Sequence, residues 1–225
     1  MLRIDEPLAG ALGLDRQSEM EVLKLVGNAG IGPQLAWADP ARGIQVCSYI
    51  DGPAWSGDDV HEPILLTELA KTLANLHQLP QKGSPFAPAQ AASRYAGSIM
   101  TQQSANHADR VRHLVAELDA DSGRMSLCHN DLVYGNLVGH GPVRLIDWEY
   151  AAIGDPCFDL AIVIRHHELP SSLINHFLNE YSRNAPAVDA DRLERCYELY
   201  DLLSALWYLA MAKRFRTASS VRADS

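Results

Sequence analysis

One short β-patterned island, set between long stretches of helical periodicity, constrains this chain more than any other feature. Ser126-Leu127-Cys128, Leu137-Val138 and Val143-Arg144-Leu145-Ile146 read as short strands, and Gly139-His140-Gly141-Pro142 is turn chemistry that joins the last two as a hairpin. Asn136 lies just before the first hairpin strand and Asp147 just after the second. The open ends of a hairpin are neighbours, so an amide oxygen and a carboxylate converge there. A few hard oxygen ligands of that kind suit Mg²⁺, which keeps waters and phosphate oxygens for its other positions.

Around the island the periodicity is that of helices. Leu65, Leu69, Leu73 and Leu76 mark one helix face, and Val111, Leu114, Val115 and Leu118 another. Leu173, Ile174, Phe177 and Leu178 mark a third, and Leu199, Leu202, Leu203 and Leu206 a fourth. Upstream of Asp51 the character differs. Leu2-Arg3-Ile4 reads as strand, a turn-rich stretch from Asp5 to Gly13 leads to Asp15 as N-cap of a helix reaching Asn28, and Gly30-Ile31-Gly32-Pro33 stops it. Two strands, Gln34 to Ala38 and Gly43 to Ile50, follow around the turn Asp39-Pro40-Ala41-Arg42. Asp51-Gly52-Pro53 then opens a connector. The expected organisation is α+β, with a small β-rich part over 1–50 and a mainly helical part over 51–225 that carries the hairpin. Gln81 to Gln90 reads as a loop and Ser219 to Ser225 as a frayed tail.

The 225 residues, 47% of them hydrophobic, suffice for one domain with a sizeable core or for two lobes sharing a cleft. With 19 basic residues against 28 acidic ones the net charge is −9, and the Lys and Arg side chains are scattered, which speaks against nucleic acid as a partner. Cys47, Cys128, Cys157 and Cys196 form no CxxC pair and have no secretory leader before them, the pattern of free thiols in a reducing cytoplasm. No apolar run approaches the ~20 residues of a bilayer span. A cytoplasmic protein without a membrane segment is expected.

His129-Asn130-Asp131-Leu132-Val133-Tyr134-Gly135-Asn136 is followed, eleven residues after Asn136, by Asp147 in Leu145-Ile146-Asp147-Trp148-Glu149-Tyr150. Together they resemble the catalytic loop and metal segment of the aminoglycoside phosphotransferase and choline kinase superfamily, distant relatives of protein kinases. Gly154-Asp155-Pro156-Cys157-Phe158-Asp159-Leu160-Ala161 resembles that family as well. The resemblance implies a protein-kinase-like two-lobe fold, ATP and Mg²⁺ as cofactors, and phosphoryl transfer to the hydroxyl of a small molecule. Positioning and charge neutralisation do most of the catalysis in such a transfer. Asp131 is then the residue that orients the acceptor hydroxyl and takes its proton late, His129 the catalytic-loop residue that braces it, and Asn136 and Asp147 the Mg²⁺ ligands. A zinc site from His129, Asp131 and His140 has neither a helical HExxH nor a Cys pair to support it.

By the same resemblance, Arg3 matches the basic residue that meets the ATP phosphates, and Glu19 is its helix partner. Cys47-Ser48-Tyr49-Ile50 falls where the lobes are linked and backbone groups meet adenine, which assigns Ser48 and Ile50 to the nucleotide. Arg3 and Glu19 read nearly as well as plain surface charges, His77 reads as structural, and Asp159 as an N-cap. Family members carry further strands and a phosphate-covering loop before the strand of Arg3, so a truncated small lobe is expected.

Asp147-Trp148-Glu149-Tyr150-Ala151 is similar to the choline, ethanolamine and thiamine kinase branch. Glu149, Tyr150 and Trp207 are accordingly the candidate acceptor residues. Aromatic faces attract a quaternary ammonium through cation–π contacts of ~0.5–2 kcal/mol, and Glu149 adds charge. Trp207 and Tyr208 fit the core equally well. Ser204 stands where choline kinases commonly carry a further tryptophan, and His166 near a position that is often acidic. The leading expectation is a kinase for a small cationic alcohol, choline first. Thiamine or aminoglycoside-type acceptors, and a catalytically inactive binding protein, are the alternatives.

Overall fold

The computed structural model describes residues 1–5, 13–121 and 123–223, with side chains described as far as Arg214. Most of the turn-rich stretch expected from Asp5 to Gly13 lies outside them. By packing, the chain divides into two compact units, one of Met1–Phe86 with Arg124–Leu193 and one of Ala87–Gly123 with Glu194–Ser225. The change of pattern at Asp51 is a change of secondary structure within the first unit.

The first unit opens with an antiparallel sheet of β1 (Leu2–Ile4), β2 (Leu35–Asp39) and β3 (Ile44–Cys47), in the order β1-β3-β2. Leu2 lies opposite Val46 and Ile4 opposite Ile44. β3 stops at Cys47, short of the expected Ile50, with the Cys47 N–H on the carbonyl of Met1. Between β1 and β2 runs α1 (Arg16–Asn28), whose N-cap Asp15 accepts from the Ser18 N–H. Its Val22, Leu23 and Val26 are buried.

The hairpin forms as its pattern predicts: β5 (Leu137–Val138) pairs with β6 (Arg144–Leu145), Leu137 opposite Leu145. Its neighbour β4 (Ser126–Cys128) pairs with β7 (Ala152–Gly154), a strand with no expectation behind it. Short Ala- and Gly-containing strands give little alternation to read. The loop before Pro88 runs beside β7, with the Phe86 N–H on the Ile153 carbonyl at 2.8 Å and the Ile153 N–H on the Ser84 carbonyl at 2.9 Å. Helix α2 (Pro63–Leu76) packs on α6 (Ser171–Ser182), burying Leu66, Leu69, Leu73 and Leu76 on one side and Phe177 on the other. Helix α5 (Pro156–His166), buried through most of its length, follows β7.

The second unit holds α3 (Pro88–Ile99), α4 (Gln102–Ala120) and, from Glu194 onward, α7 (Ala190–Ala223). Helix α3 begins inside the expected loop, since Pro88 at the first helical turn has no N–H to waste. Thr101 and Ser104 close a capping box at the start of α4, and Arg110 forks onto Glu198 at 2.6 and 2.7 Å. The expected frayed tail is helical through Ala223, and its last two residues lie outside the described ones.

One close approach ties α1 to the hairpin. The Leu145 N–H donates to the Ile31 carbonyl at 2.8 Å, and a Cβ on Gly32 would sit 2.8 Å from Trp148 Nε1 and 2.8 Å from Val26 Cγ2. Gly32→Ala is therefore expected to lower stability by about 1–3 kcal/mol through overpacking, read as an earlier midpoint in urea unfolding.

Candidate active site

β4 ends at Cys128, and the chain then turns on Asn130, held at φ 63°. Asparagine tolerates this left-handed conformation because its short polar side chain can bond locally, and Asn130 Nδ2 donates to the Tyr150 carbonyl at 3.0 Å. The turn is pinned by a carboxylate. Asp159 accepts from the His129 N–H on Oδ2 and the Asn130 N–H on Oδ1, both at 2.8 Å. His77 Nε2 lies 3.1 Å from the same Oδ2, and its Nδ1 lies 2.9 Å from the Tyr181 hydroxyl.

This corrects the N-cap assignment of Asp159. The N-cap of α5 is Asp155, which accepts from the Cys157 N–H and also pairs with Arg192. Asp159 sits one turn inside the helix, 0% exposed, and braces the loop. An acid amid Phe158 and Leu160 to Ile164 was a sign of this, since a carboxylate in an apolar run must find donors. His77 is structural, as expected. His77, Cys128 and Asp159 bring ligand atoms within 4.8 Å of one another. His77 and Asp159 form a hydrogen-bond network in which Asp159 is committed to its donors, while Cys128 Sγ lies on the Ser126 carbonyl and burial pushes its thiol well up, keeping it protonated.

His129 is wholly buried, and burial lowers its pKa. Its Nε2 lies 3.0 Å from the Ile146 carbonyl, and its Nδ1 accepts from the Asp131 N–H at 3.3 Å, so the neutral imidazole carries its proton on Nε2. The ring centroid lies 4.6 Å from that of Trp148. With both nitrogens engaged, His129 positions the loop.

Asn136 Nδ2 donates to Asp131 twice, to Oδ2 and to the main-chain carbonyl, each at 2.9 Å. The amide nitrogen is thereby spent, and the Asn136 carbonyl oxygen is the atom left for a cation. Asp147, at φ 63° and ψ 68°, makes no capping bond with its side chain, which is 46% exposed. Left-handed backbone at a non-glycine residue costs of order 1–3 kcal/mol and clusters where a site dictates it. Burial, then the charge of Asp147, push the Asp131 carboxyl up to about 6 against the opposing bond from Asn136.

Arg3 and Glu19 meet, Arg3 Nη2 donating to Glu19 Oε2 at 2.7 Å, and Arg3 Nη1 lies 3.8 Å from Asp147 Oδ1. Sequence reasoning missed Arg16, whose guanidinium reaches Asp5, Glu19 and Glu149. Its three-residue spacing from Glu19 on one helix was the available signal. Glu149 is thus held by Arg16, while burial and Asp147 raise its pKa. Tyr150 is part-buried beside it in chain order. Ser48 donates its N–H to the Gln34 carbonyl at 2.8 Å and accepts the Gln34 N–H on Oγ at 2.9 Å, and Ile50 is part-buried. Trp207 belongs to the second unit, on α7, with its ring edge-on to Tyr208 at 5.1 Å.

The family described as "Phosphotransferase enzyme family" matches residues 2–196. The chain belongs to that family. It is 28% identical over 162 residues to ethanolamine kinase 2 of Rattus norvegicus, covering 65% of this chain and 42% of that one. To probable choline kinase 3 of Arabidopsis thaliana it is 24% identical over 193 residues, covering 79% and 51%. The crystal structure of the choline kinase LicA from Streptococcus pneumoniae superposes with a TM-score of 0.81 at 25% identity, covering 95% of this chain and 78% of that one. The chain spans from 16% to 51% of the length of the curated relatives it matches. The fold of this phosphotransferase-family chain is protein-kinase-like, α+β with small antiparallel sheets. Among the described residues no helix is long and apolar enough to cross a membrane.

The position of Asp131 has a measurable consequence. Its folded pKa of about 6 lies above the ordinary 3.8, so between these values the folded state holds more protons than the unfolded one. Stability contributed by this group is present below pH 3.8 and lost as pH rises through 6. In metal-free urea titrations, Asp131→Asn should be the more stable protein at pH 8, by up to about 3 kcal/mol, with the advantage gone at pH 4.

Proposed function

We propose that this chain transfers the γ-phosphoryl group of Mg·ATP to the hydroxyl of a small cationic alcohol of the choline or ethanolamine type. The observation that carries the reading is the Asn136–Asp131 contact at 2.9 Å beside an uncapped Asp147. One amide fixes the catalytic carboxylate with its nitrogen and keeps its oxygen for a metal, which places acceptor and metal functions on adjoining groups. The donor set fits Mg²⁺, being made of hard oxygens, few in number, in a neighbourhood with an excess of carboxylates. Asn136 and Asp147 hold the ion, which when bound neutralises charge on the phosphates.

Asp131 orients the alcohol and receives its proton as the new O–P bond forms. A carboxyl at about 6 is a better match to neutral pH than an ordinary aspartate. His129 and Asp159 keep that carboxylate in place. Arg3, aligned by Glu19, meets the phosphates, and main-chain groups from Ser48 to Ile50 meet adenine; the Ser48 N–H is committed to Gln34, which leaves its carbonyl for the nucleotide. In this reading residues 1–50 supply the nucleotide-facing groups, and 51–225 the metal and acceptor groups. Glu149 and Tyr150 are assigned to the cationic end of the acceptor. Support comes from relatives named as choline and ethanolamine kinases and from a structure of LicA in complex with AMP.

Calorimetry with ATP should show binding that depends on Mg²⁺ and is lost in Asp147→Asn; equal affinity with and without the ion removes the metal assignment. ADP release should be faster with choline, ethanolamine or thiamine than with kanamycin, and Asp131→Asn should slow it by about 10²–10⁴-fold. Kanamycin as the best acceptor would redirect the reading to the aminoglycoside branch, and nucleotide binding without turnover to a non-catalytic protein.

A further inference from the structure

Arg16 joins three parts of the first unit through one guanidinium. Its Nε and Nη2 fork onto Asp5, the latter at 2.9 Å, while Nη1 donates to Glu19 Oε2 at 2.7 Å and to Glu149 Oε2 at 3.1 Å. The side chain is 14% exposed, and a guanidinium stays charged at any working pH. Both acceptors on Nη1 are shared with Arg3. Glu19 Oε2 is the oxygen that Arg3 Nη2 contacts at 2.7 Å, and Glu149 Oε2 lies 4.0 Å from Arg3 Nη1.

The charges do not balance. Asp5, Glu19, Asp147 and Glu149 face Arg3 and Arg16, four carboxylates to two guanidiniums, an excess of two negative charges. Removing Arg16 raises the excess to three and leaves Glu149 with only the distant Arg3. Glu149 stands two residues from Asp147. A freed carboxylate at that point competes with Asp147 for a divalent cation, because hard cations accept carboxylates in either one- or two-oxygen mode.

Resting on the kinase reading, we propose that Arg16 is a positioning residue for the Mg–nucleotide complex. It draws Glu149 away from the metal position, so that Asp147 is the carboxylate presented there, and it shares Glu19 so that Arg3 keeps one free end toward Asp147 and the phosphates. It touches neither the alcohol nor the reacting phosphorus, and acts through Glu149 and Glu19.

The test is calorimetric binding of Mg·ADP, which needs no acceptor, to the 225-residue chain and its variants. Arg16→Gln should raise the Kd by about tenfold, the scale of coupling within one ion-pair network. Arg16→Lys, which keeps a charge without the fork, should raise it less. The double variant Arg16→Gln/Glu149→Gln should recover most of the loss, because a neutral Glu149 replacement needs no counter-charge. ADP without Mg²⁺ should respond to these substitutions much less than Mg·ADP does. A purely structural role moves thermal midpoints and leaves this pattern flat, so an unchanged Kd in folded Arg16→Gln, or a double variant no better than the single, overturns the proposal. Where Arg16→Gln does not fold, Arg16→Lys against Arg16→Lys/Glu149→Gln makes the same comparison. If the unaltered chain binds Mg·ADP yet phosphorylates no alcohol, the acceptor reading fails and the role of Arg16 stands. If it binds no Mg·ADP, both fall.

Discussion

A carboxylate with no access to water, Asp159, accepts from two consecutive main-chain amides, and the loop from His129 to Asn136 hangs from that pair of bonds. Burying an unpaired carboxylate would cost many kcal/mol. Here both oxygens are engaged, and His77 and Tyr181 extend the network into the core. The arrangement runs from the core outward: a buried helix fixes the acid, the acid fixes the backbone of His129 and Asn130, and that backbone delivers Asp131 to the surface of the site. Any group that replaced Asp159 without accepting both bonds would leave two buried donors unsatisfied, each at a cost of about 1–3 kcal/mol.

The second constraint is electrostatic. Negative charge accumulates around Asp147, and the fold answers with two arginines rather than with burial. Arg3 and Arg16 both reach Glu19, the buried member of the group at 2% side-chain exposure, and from there extend to Asp147 and Glu149. The compensation is incomplete, and the group keeps an excess of negative charge. Asp131 registers burial first and then the same field, and together they push its carboxyl up to about 6. Two left-handed residues, Asn130 and Asp147, frame the loop and the hairpin end, and both are of the short polar kind that tolerates such backbone.

Much of this was legible in the residues. The hairpin was fixed by two apolar runs around a Gly-rich turn, and hairpin geometry alone brought Asn136 and Asp147 together; the pairing of Leu137 with Leu145 realises it. Helix periodicity located α2, α4, α6 and α7, because each buries a stripe that recurs every three or four residues. Asp15 capped its helix as local chemistry required. Local rules sufficed wherever the partner of a residue lay within a turn or a hairpin of it.

The rest depended on partners distant in sequence. The apolar run around Asp159 signals that its carboxylate must find donors, but which donors, thirty residues away in the loop, only the packing of α5 against β4 decides. Nothing near Arg16 announces Glu149, 133 residues away. The strand β7 is too short to show alternation and exists because β4 needs a partner. The amide orientation of Asn136, which commits its nitrogen to Asp131, is likewise set by where the loop places that residue. The sequence by itself determined the elements, the hairpin and the polar residues at its mouth, since these follow from side-chain period and turn chemistry. The tertiary structure alone decided which charges meet and which carboxylate is buried, because Coulomb and hydrogen-bond partners are chosen by distance in space, and distance along the chain carries almost no information about it.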